Sequence, residues 1–278
     1  MLISNSAHVE MNVEAVMSLS ARFQISEQTA PGVRGWTPSQ SSVADSGGPG
    51  CGTIGERDMR EAANALSVIG STLRVRAGET LFVEGDSAGK CYVVVSGLLK
   101  EFNTLKDGSC HISDLRFPGV LVGLTPAPAY HQTAEAIQET CLTSYPVERF
   151  RMIVAGNPVL SDWLARTLLG DLERTRTNGL ALSRLSAMER VARFLLTLRR
   201  LTGSSSDLGG AHPIPMSRQD MADHLGLTIE TVCRCLTTLK GKGLITMITA
   251  HGFTVANETA IAALAEHEDR DGDGRNGR

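Results

Sequence analysis

The sequence lacks three features that would each have pointed to a class of protein. No apolar run approaches the roughly 20 residues of a membrane-spanning helix, the six cysteines have no CxxC spacing, and the formal net charge of the 278 residues is −3 rather than positive. The first absence predicts a cytoplasmic protein with no membrane partner. The second predicts reduced thiols rather than disulfides.

The charge is unevenly divided along the chain. Residues 173–250 hold eleven lysines and arginines against six aspartates and glutamates, a net charge of +5, which leaves −8 for the remainder. This division keeps nucleic acid open as a partner, because the basic part is confined to the C-terminal third.

The first two segments of the chain differ in composition. Residues 1–55 mix Ser, Gly, Pro and Thr without a sustained period, which predicts a mostly disordered arm. Residues 56–156 contain short apolar runs between glycine turns, which is typical of a compact β-roll or jelly roll. Asp107 and Gly108 stand between two such runs and predict a tight hairpin there. We find no nucleophile and base pair, phosphate-binding loop or metal-ligand set in this region, which argues against an enzyme.

A helical period follows the β-rich region. Asn157 and Pro158 are typical of a helix start, and the pattern predicts a helix over residues 157–184. One stripe of this helix repeats at spacings of four and three, which predicts a dimer seam; packing against the chain's own β-rich region is the alternative. The stripe consists of Leu164, Leu168, Leu172, Thr175, Gly179 and Leu182.

Residues 185–256 are predicted to form a winged helix-turn-helix, and residues 257–278 a short helix with a disordered acidic tail. Ser217 is predicted to cap a short helix together with Asp220, and Gly226 to supply the left-handed turn after it. A second helix placed after such a turn enters the major groove of DNA. The apolar runs that follow it predict a two-stranded wing.

The second helix is predicted to begin after Thr228 and to have an apolar and a polar face. Its inward side chains are expected to be Ile229, Val232, Leu236 and Leu239, and its outward ones Glu230, Cys233, Arg234 and Thr237. Arginine can donate two hydrogen bonds to guanine, and a carboxylate can accept one from cytosine. This chemistry predicts base contacts for Glu230, Cys233 and Arg234. Glu230 and Arg234 can also steady each other, and an ordinary exposed ion pair is the alternative.

A further set of polar side chains lies close to the same surface. Contacts with the DNA backbone, or positions near it, are predicted for Ser217, Arg218, Thr228, Thr231, Thr237, Lys240 and Lys242. Solvated surface charge is the alternative for the basic members of this set.

The segment SRQDMADHLGLTIETVCRCLTTLKGKGLI resembles the DNA-binding domain of the Crp/Fnr superfamily. The resemblance extends over about residues 70–256, and it implies an α+β chain. Its parts would be an N-terminal cyclic-nucleotide-binding-like β-roll (jelly roll), a long dimerisation helix and a C-terminal winged helix-turn-helix. It also implies a homodimeric transcription activator that contacts RNA polymerase.

Ile229 indicates which branch of that superfamily the chain resembles, because cyclic-AMP receptors carry an arginine at this position. The chain is therefore similar to the Fnr and FixK branch. This resemblance implies that it binds TTGAT-N4-ATCAA palindromes. The implied targets are genes of low-oxygen respiration, denitrification or nitrogen fixation. Position 233 is usually serine in that branch, so Cys233 leaves the fine base preference open.

The resemblance also bears on what the β-roll senses. Cyclic-nucleotide receptors hold the phosphate with an arginine and the ribose with a glutamate after a glycine, whereas this chain has His131-Gln132-Thr133 and Gly123-Leu124 there. Burying a phosphate without a paired donor is costly, so we expect no cyclic nucleotide to bind.

Two cofactor-dependent gas or redox sensors are the alternatives. An iron–sulfur cluster needs four convergent thiolates, but the arm offers only Cys51, and Thr143 takes the expected ligand position two residues from Cys141. Haem would bind through His111 or His131. We predict no cofactor and no metal.

Cys233 is also a candidate redox switch. It adjoins Arg234 near a helix N-terminus, an environment that favours the reactive thiolate. Oxidation would add bulk and negative charge beside the DNA phosphates and so weaken binding. The alternative is that a small residue simply fits the groove.

Overall fold

The computed structural model describes residues 64–104, 106, 108–202, 211–249 and 251–265. The arm predicted for residues 1–55, with Cys51, and the tail predicted beyond residue 265 lie outside the described residues.

Two four-stranded antiparallel sheets form the β-roll, as predicted. Their orders are β1-β8-β3-β6 and β2-β7-β4-β5. The strands are β1 (Ser71–Val75), β2 (Thr80–Phe82), β3 (Lys90–Ser96), β4 (Leu99–Thr104), β5 (Cys110–Arg116), β6 (Leu121–Val122), β7 (Thr133–Ala136) and β8 (Thr140–Pro146). Apolar side chains of both sheets, such as Val94, Leu99 and Leu142, meet in one buried cluster.

Strands β4 and β5 form the predicted hairpin, which we call the β4–β5 ribbon. Thr104 pairs with Cys110 at its end, and Gly108 has a φ of 81° in the turn. Residues 105–109 separate this last pair, so the loop is longer than the tight turn that was predicted. Glycine adopts the positive φ at position 108 without steric strain.

Helices follow the β-roll. They are α1 (Val147–Ala155), α2 (Pro158–Arg184), α3 (Ala187–Thr202), α4 (Arg218–Leu225), α5 (Ile229–Gly241) and α6 (Glu258–Ala265). The predicted start of α2 is confirmed, because Asn157 Oδ1 accepts hydrogen bonds from the backbone N–H groups of Val159 and Leu160 at 3.0 and 3.2 Å. Within the described ranges, no helix has both the length and the apolar character to cross a membrane.

Helix α2 uses one face to pack on the β-roll. Leu160, Trp163 and Thr167 are buried there, and their spacing of three and four residues puts them on one side of the helix. The predicted dimer stripe lies one residue further round, where Leu168 and Leu172 are 48% and 45% exposed. The β-roll therefore leaves much of this stripe uncovered.

The C-terminal head comprises α3 to α6 and a small sheet of order β10-β11-β9. Its strands are β9 (His212–Pro213), β10 (Ile245–Thr249) and β11 (Gly252–Val255). The two-stranded wing is confirmed, while β9 is a third strand that the sequence pattern did not predict. The apolar core of the head is continuous with Leu98, Ile112, Leu115 and Phe117 of the β-roll.

His224 lies at this junction between the β-roll and the head. Its Nδ1 is 3.2 Å from the carbonyl oxygen of Ile112, to which it donates, and its ring lies 5.5 Å from that of Phe194. Burial lowers the pKa of His224, and this outweighs the carbonyl hydrogen bond and the charge of Asp114, which act to raise it. The charges of His111 and Arg174 add to the lowering.

The lowered pKa makes the stability of the fold dependent on pH. Below the unfolded histidine pKa of about 6.5, the unfolded chain binds more protons than the folded chain, so stability falls as the pH falls. We expect acidification from about pH 7.5 to about pH 5.5 to reduce the free energy of unfolding more in the wild type than in His224→Gln. Urea denaturation at both pH values measures this difference. The exposed His131 supplies the control, since His131→Gln should retain the wild-type response; equal responses in all three proteins would contradict the assignment.

Candidate nucleic-acid interface

Helix α4 begins with the predicted capping box. Ser217 Oγ accepts a hydrogen bond from the backbone N–H of Asp220 at 3.0 Å, and Asp220 Oδ2 accepts one from the backbone N–H of Ser217 at 3.3 Å. These bonds satisfy donors that the first helical turn leaves unpaired. Burial alone would raise the pKa of Asp220, but hydrogen bonds from Ser217 and Lys100 outweigh it, and the pKa is lowered.

The turn between α4 and α5 depends on a glycine and an arginine. Gly226 has a φ of 61°, as predicted from its position after α4. Arg190 of α3 donates to the carbonyl oxygen of Leu225 at 2.9 Å. The sequence did not single out Arg190, because its spacing within α3 carries no sign of a partner 35 residues away. The turn is thus fixed both by its own backbone and from a neighbouring helix.

Helix α5 is capped by Thr228, whose Oγ1 accepts from the backbone N–H of Thr231 at 3.3 Å. Val232, Leu236 and Leu239 are buried, as predicted. The inward assignment of Ile229 is wrong, because this side chain is 38% exposed. Ile229 is the first residue of α5, and the first buried residue of this helix is Val232. The side chain at position 229 therefore precedes the part of α5 that packs on the core.

The outward face of α5 presents Glu230, Cys233, Arg234 and Thr237 to solvent. Arg234 Nη2 donates to Thr231 Oγ1 at 3.3 Å, so its hydrogen-bond partner is Thr231 and not the expected Glu230. The backbone N–H of Glu230 itself lowers the pKa of its carboxyl, as do the Thr228 hydroxyl and the charge of Arg234. The carboxylate is therefore kept ionised, as a hydrogen-bond acceptor.

Arg218 is the half-buried first residue of α4. Burial lowers the pKa of Arg218, while the charge of the nearby Cys233 acts to raise it. Arg218 Nη1 also lies 3.1 Å from the sulfur of Met221.

The remaining predicted contacts fall into three groups. Ser217 and Thr228 are exposed at the N-termini of α4 and α5, while Lys240 and Lys242 are exposed at the C-terminal end of α5. Thr231 is half-buried, and Thr237 donates its hydroxyl hydrogen to the backbone carbonyl of Cys233 at 2.9 Å. Backbone N–H groups at helix N-termini attract phosphate, and the two lysines supply positive charge.

A cavity of about 220 Å³ lies between the β-roll and α2. Gly123, Leu124, His131 and Gln132 line it, so the residues compared with nucleotide receptors do surround one space. Arg116 is the arginine of its wall, and it is already held by Glu101 at 2.6 Å and Asp171 at 3.0 Å. Among the described residues, no group of three or more His, Cys, Asp or Glu side chains is arranged to hold a metal ion.

Comparison with known proteins assigns both halves of this architecture. Residues 72–157 match the model of the cyclic nucleotide-binding domain, and residues 189–264 match that of the Crp-like helix-turn-helix domain. The nitrogen fixation regulation protein FixK of Bradyrhizobium diazoefficiens is 31% identical over 215 residues, which cover 77% of this chain and 89% of that protein. The chain belongs to the FixK-like branch of the Crp/Fnr family of DNA-binding transcription regulators.

Two further Crp/Fnr proteins are similar over most of their length. The nitrogen fixation regulation protein FixK of Rhizobium meliloti is 34% identical over 193 residues, which cover 68% of this chain and 84% of that protein. The solved structure of FixK2 from Bradyrhizobium japonicum has a TM-score of 0.66 and 30% identity, and the match covers 70% of this chain and 97% of that one. The assignments as a transcription regulator and not an enzyme are thereby confirmed.

The left-handed turn at Gly226 can be tested by stability. An added Cβ would meet Leu182 Cδ2 at 3.4 Å and Arg190 Nη1 at 3.6 Å, which are ordinary contacts, so the expected penalty comes from the backbone alone. We expect Gly226→Ala to lower the free energy of unfolding by about 1 kcal/mol, and Gly226→Asn to lower it by less, since asparagine tolerates this conformation better. Urea denaturation measures both. Equal penalties for Ala and Asn would contradict a backbone origin.

Proposed function

We propose that this protein binds a TTGAT-N4-ATCAA-like palindrome as a homodimer and activates transcription from it. The observation that carries the proposal is the outward face of α5, where Glu230 and Arg234 are both exposed on the second helix of a helix-turn-helix. Arg234 would donate to a guanine and Glu230 would accept from a cytosine in the major groove. Cys233 lies between them along the chain and would contact a neighbouring base.

The dimer is proposed to form along α2. Leu168 and Leu172 are apolar and about half-exposed, and Thr175 and Gly179 continue the same stripe without cover. A second copy of α2 would bury this stripe, and the resulting twofold axis would match the symmetry of a palindrome. Half-sites one helical turn apart, roughly 34 Å, then fit the two α5 helices.

The names of the relatives support a proposal about which genes the protein controls. The FixK proteins of Bradyrhizobium diazoefficiens and Rhizobium meliloti are named as nitrogen fixation regulation proteins. We assign this chain to control of nitrogen-fixation, denitrification or low-oxygen respiration genes, with RNA polymerase as the partner in activation. Its place of action would be the cytoplasm, where the chromosome is.

Removing the arginine of the reading face should weaken operator binding. We expect Arg234→Ala to cost about 1–3 kcal/mol of binding free energy in each half-site, because a bidentate arginine–guanine pair is lost. The variant should also discriminate less between the palindrome and a duplex changed at its G·C pairs. Fluorescence anisotropy with both duplexes at one fixed salt concentration measures these effects.

Arg149 supplies the matched control, since it is an exposed arginine on helix α1 of the β-roll. Arg149→Ala removes the same charge and should retain the wild-type affinity and discrimination. A uniform loss on all duplexes in Arg234→Ala would reassign Arg234 to a phosphate contact.

Cys233 is proposed as a redox-sensitive residue of the same face. It is an exposed free cysteine, and it adjoins Arg234 along the same helix. Peroxide would transfer one oxygen atom to the thiolate, giving a sulfenic acid and releasing hydroxide. The added bulk, and the negative charge of further oxidation, would oppose contact with DNA.

Peroxide treatment should therefore lower operator affinity in the wild type. Cys233→Ser should retain its affinity under the same treatment, because serine is not oxidised and is close to cysteine in size. The buried Cys235 provides the comparison, since Cys235→Ser should leave the peroxide response intact. Equal losses in the wild type and in Cys233→Ser would exclude Cys233 as the sensitive thiol.

A further inference from the structure

The β4–β5 ribbon contacts two parts of the chain that lie far from it in sequence. On one side it is joined to α2, because Arg116 pairs with Asp171 at 3.0 Å and Asp114 pairs with Arg174 at 2.7 Å. On another side it lies against α4 of the C-terminal head. The ribbon therefore connects the helix of the proposed dimer seam to the first helix of the helix-turn-helix.

A lysine makes the charged contact between the ribbon and the head. Lys100 Nζ lies 2.9 Å from Asp220 Oδ1, and the two side chains are only 16% and 15% exposed. The same Nζ lies 3.0 Å from Glu135 of the neighbouring strand β7. Burial would lower the pKa of Lys100, but the two carboxylates outweigh it and raise the pKa. Water is largely excluded here, so this pair is screened less than an exposed one.

Lys100 contacts the residue that completes the N-terminal cap of α4. Asp220 uses Oδ2 for the capping box with Ser217 and Oδ1 for Lys100. The carboxylate thus serves the helix cap and the domain contact at once. Any movement of α4 relative to the ribbon would have to separate Lys100 from Asp220.

Uncharged contacts surround this ion pair. His224, one helical turn along α4, donates to the carbonyl oxygen of Ile112 in the ribbon. Ile112 and Leu115 of β5 belong to the same buried cluster as Met221 and Leu225 of α4. The interface is thus apolar at its centre, with directional polar bonds that fix the orientation of α4.

We propose that Lys100 of the β-roll is a positioning residue for DNA recognition. Through Asp220 it sets the orientation of α4, and with it that of the adjoining α5, relative to the dimer helix. The contact leaves Glu230 and Arg234 exposed, so the head is held in an orientation that can still read DNA. Together with Arg116 and Asp171, Lys100 fixes the distance and angle between the two reading faces of a dimer.

This role rests on the proposed binding of a palindrome, where two heads must bind at one separation. A head that is free to turn loses rotational freedom on binding, and this weakens the complex. A held head has already lost that freedom, but it rejects a palindrome of the wrong spacing. The length of the central spacer is therefore the property that Lys100 should control.

The test uses the full chain and four duplexes: TTGAT and ATCAA separated by three, four or five base pairs, and a single TTGAT half-site. Wild-type protein should prefer the four-base-pair spacer. Lys100→Met should bind that duplex roughly threefold to tenfold more weakly and discriminate less between spacers, because the apolar contacts that remain fix the orientation of α4 less tightly. Its affinity for the single half-site should equal that of the wild type.

Two matched variants separate positioning from a general effect on folding. Lys100→Arg retains the charge and should restore the spacer preference. Glu135→Gln removes the other carboxylate of Lys100 and leaves the pair with Asp220, so it should behave as the wild type.

The outcomes against the proposal are distinct. If Lys100→Met keeps the spacer preference of the wild type, the positioning role alone is overturned. The same holds if Lys100→Met loses equal affinity for the half-site and for the palindrome. A wild type that binds the half-site but prefers no spacer would overturn the dimeric operator and the positioning role together.

Discussion

The orientation of the helix-turn-helix depends on the packing of one β-ribbon between two helices. The β4–β5 ribbon is joined to α2 by Arg116 and Asp171 and to α4 by Lys100 and Asp220. Between these ion pairs, the apolar core of the head continues into the β-roll. Apolar packing supplies most of the free energy that holds such an interface together, and the charged pairs fix the orientation of the packed elements. The ribbon is therefore in direct contact both with α2, the helix of the proposed dimer seam, and with α4 of the helix-turn-helix.

The same ion pairs decide the chemistry of the β-roll cavity. Arg116 is a wall residue that would suit an anion, yet Glu101, Asp114 and Asp171 outweigh the effect of burial and raise its pKa. A phosphate entering the cavity would compete with these carboxylates for Arg116, and Leu124 and Gln132 offer no charge in exchange. Displacing Asp171 would leave the pair of Asp114 and Arg174 as the ion pair between the ribbon and α2.

The caps and turns of the structure could be predicted from short stretches of sequence. Ser217, Gly226 and the turn at Gly108 each act through bonds within a few residues, so their roles can be read from the residues beside them. Ile229 was misassigned because helical periodicity does not say where the first turn leaves the core. The pairing of Lys100 with Asp220 joins residues 120 positions apart. Nothing in the neighbourhood of either residue predicts the other, because only the packing of the whole chain brings them together.

In the proposed arrangement, the β4–β5 ribbon, α2 and the C-terminal head form one body before DNA binds. Spin labels on Cys233, in a variant whose other cysteines are serine, would give the distance between the two reading faces of the DNA-free dimer. We expect one narrow distance distribution, since the contacts of Lys100 and Arg116 hold each head in one orientation. A broad distribution would contradict it, because the heads would then turn freely until DNA fixed them. The absence of any coupling between labels would contradict the dimer itself.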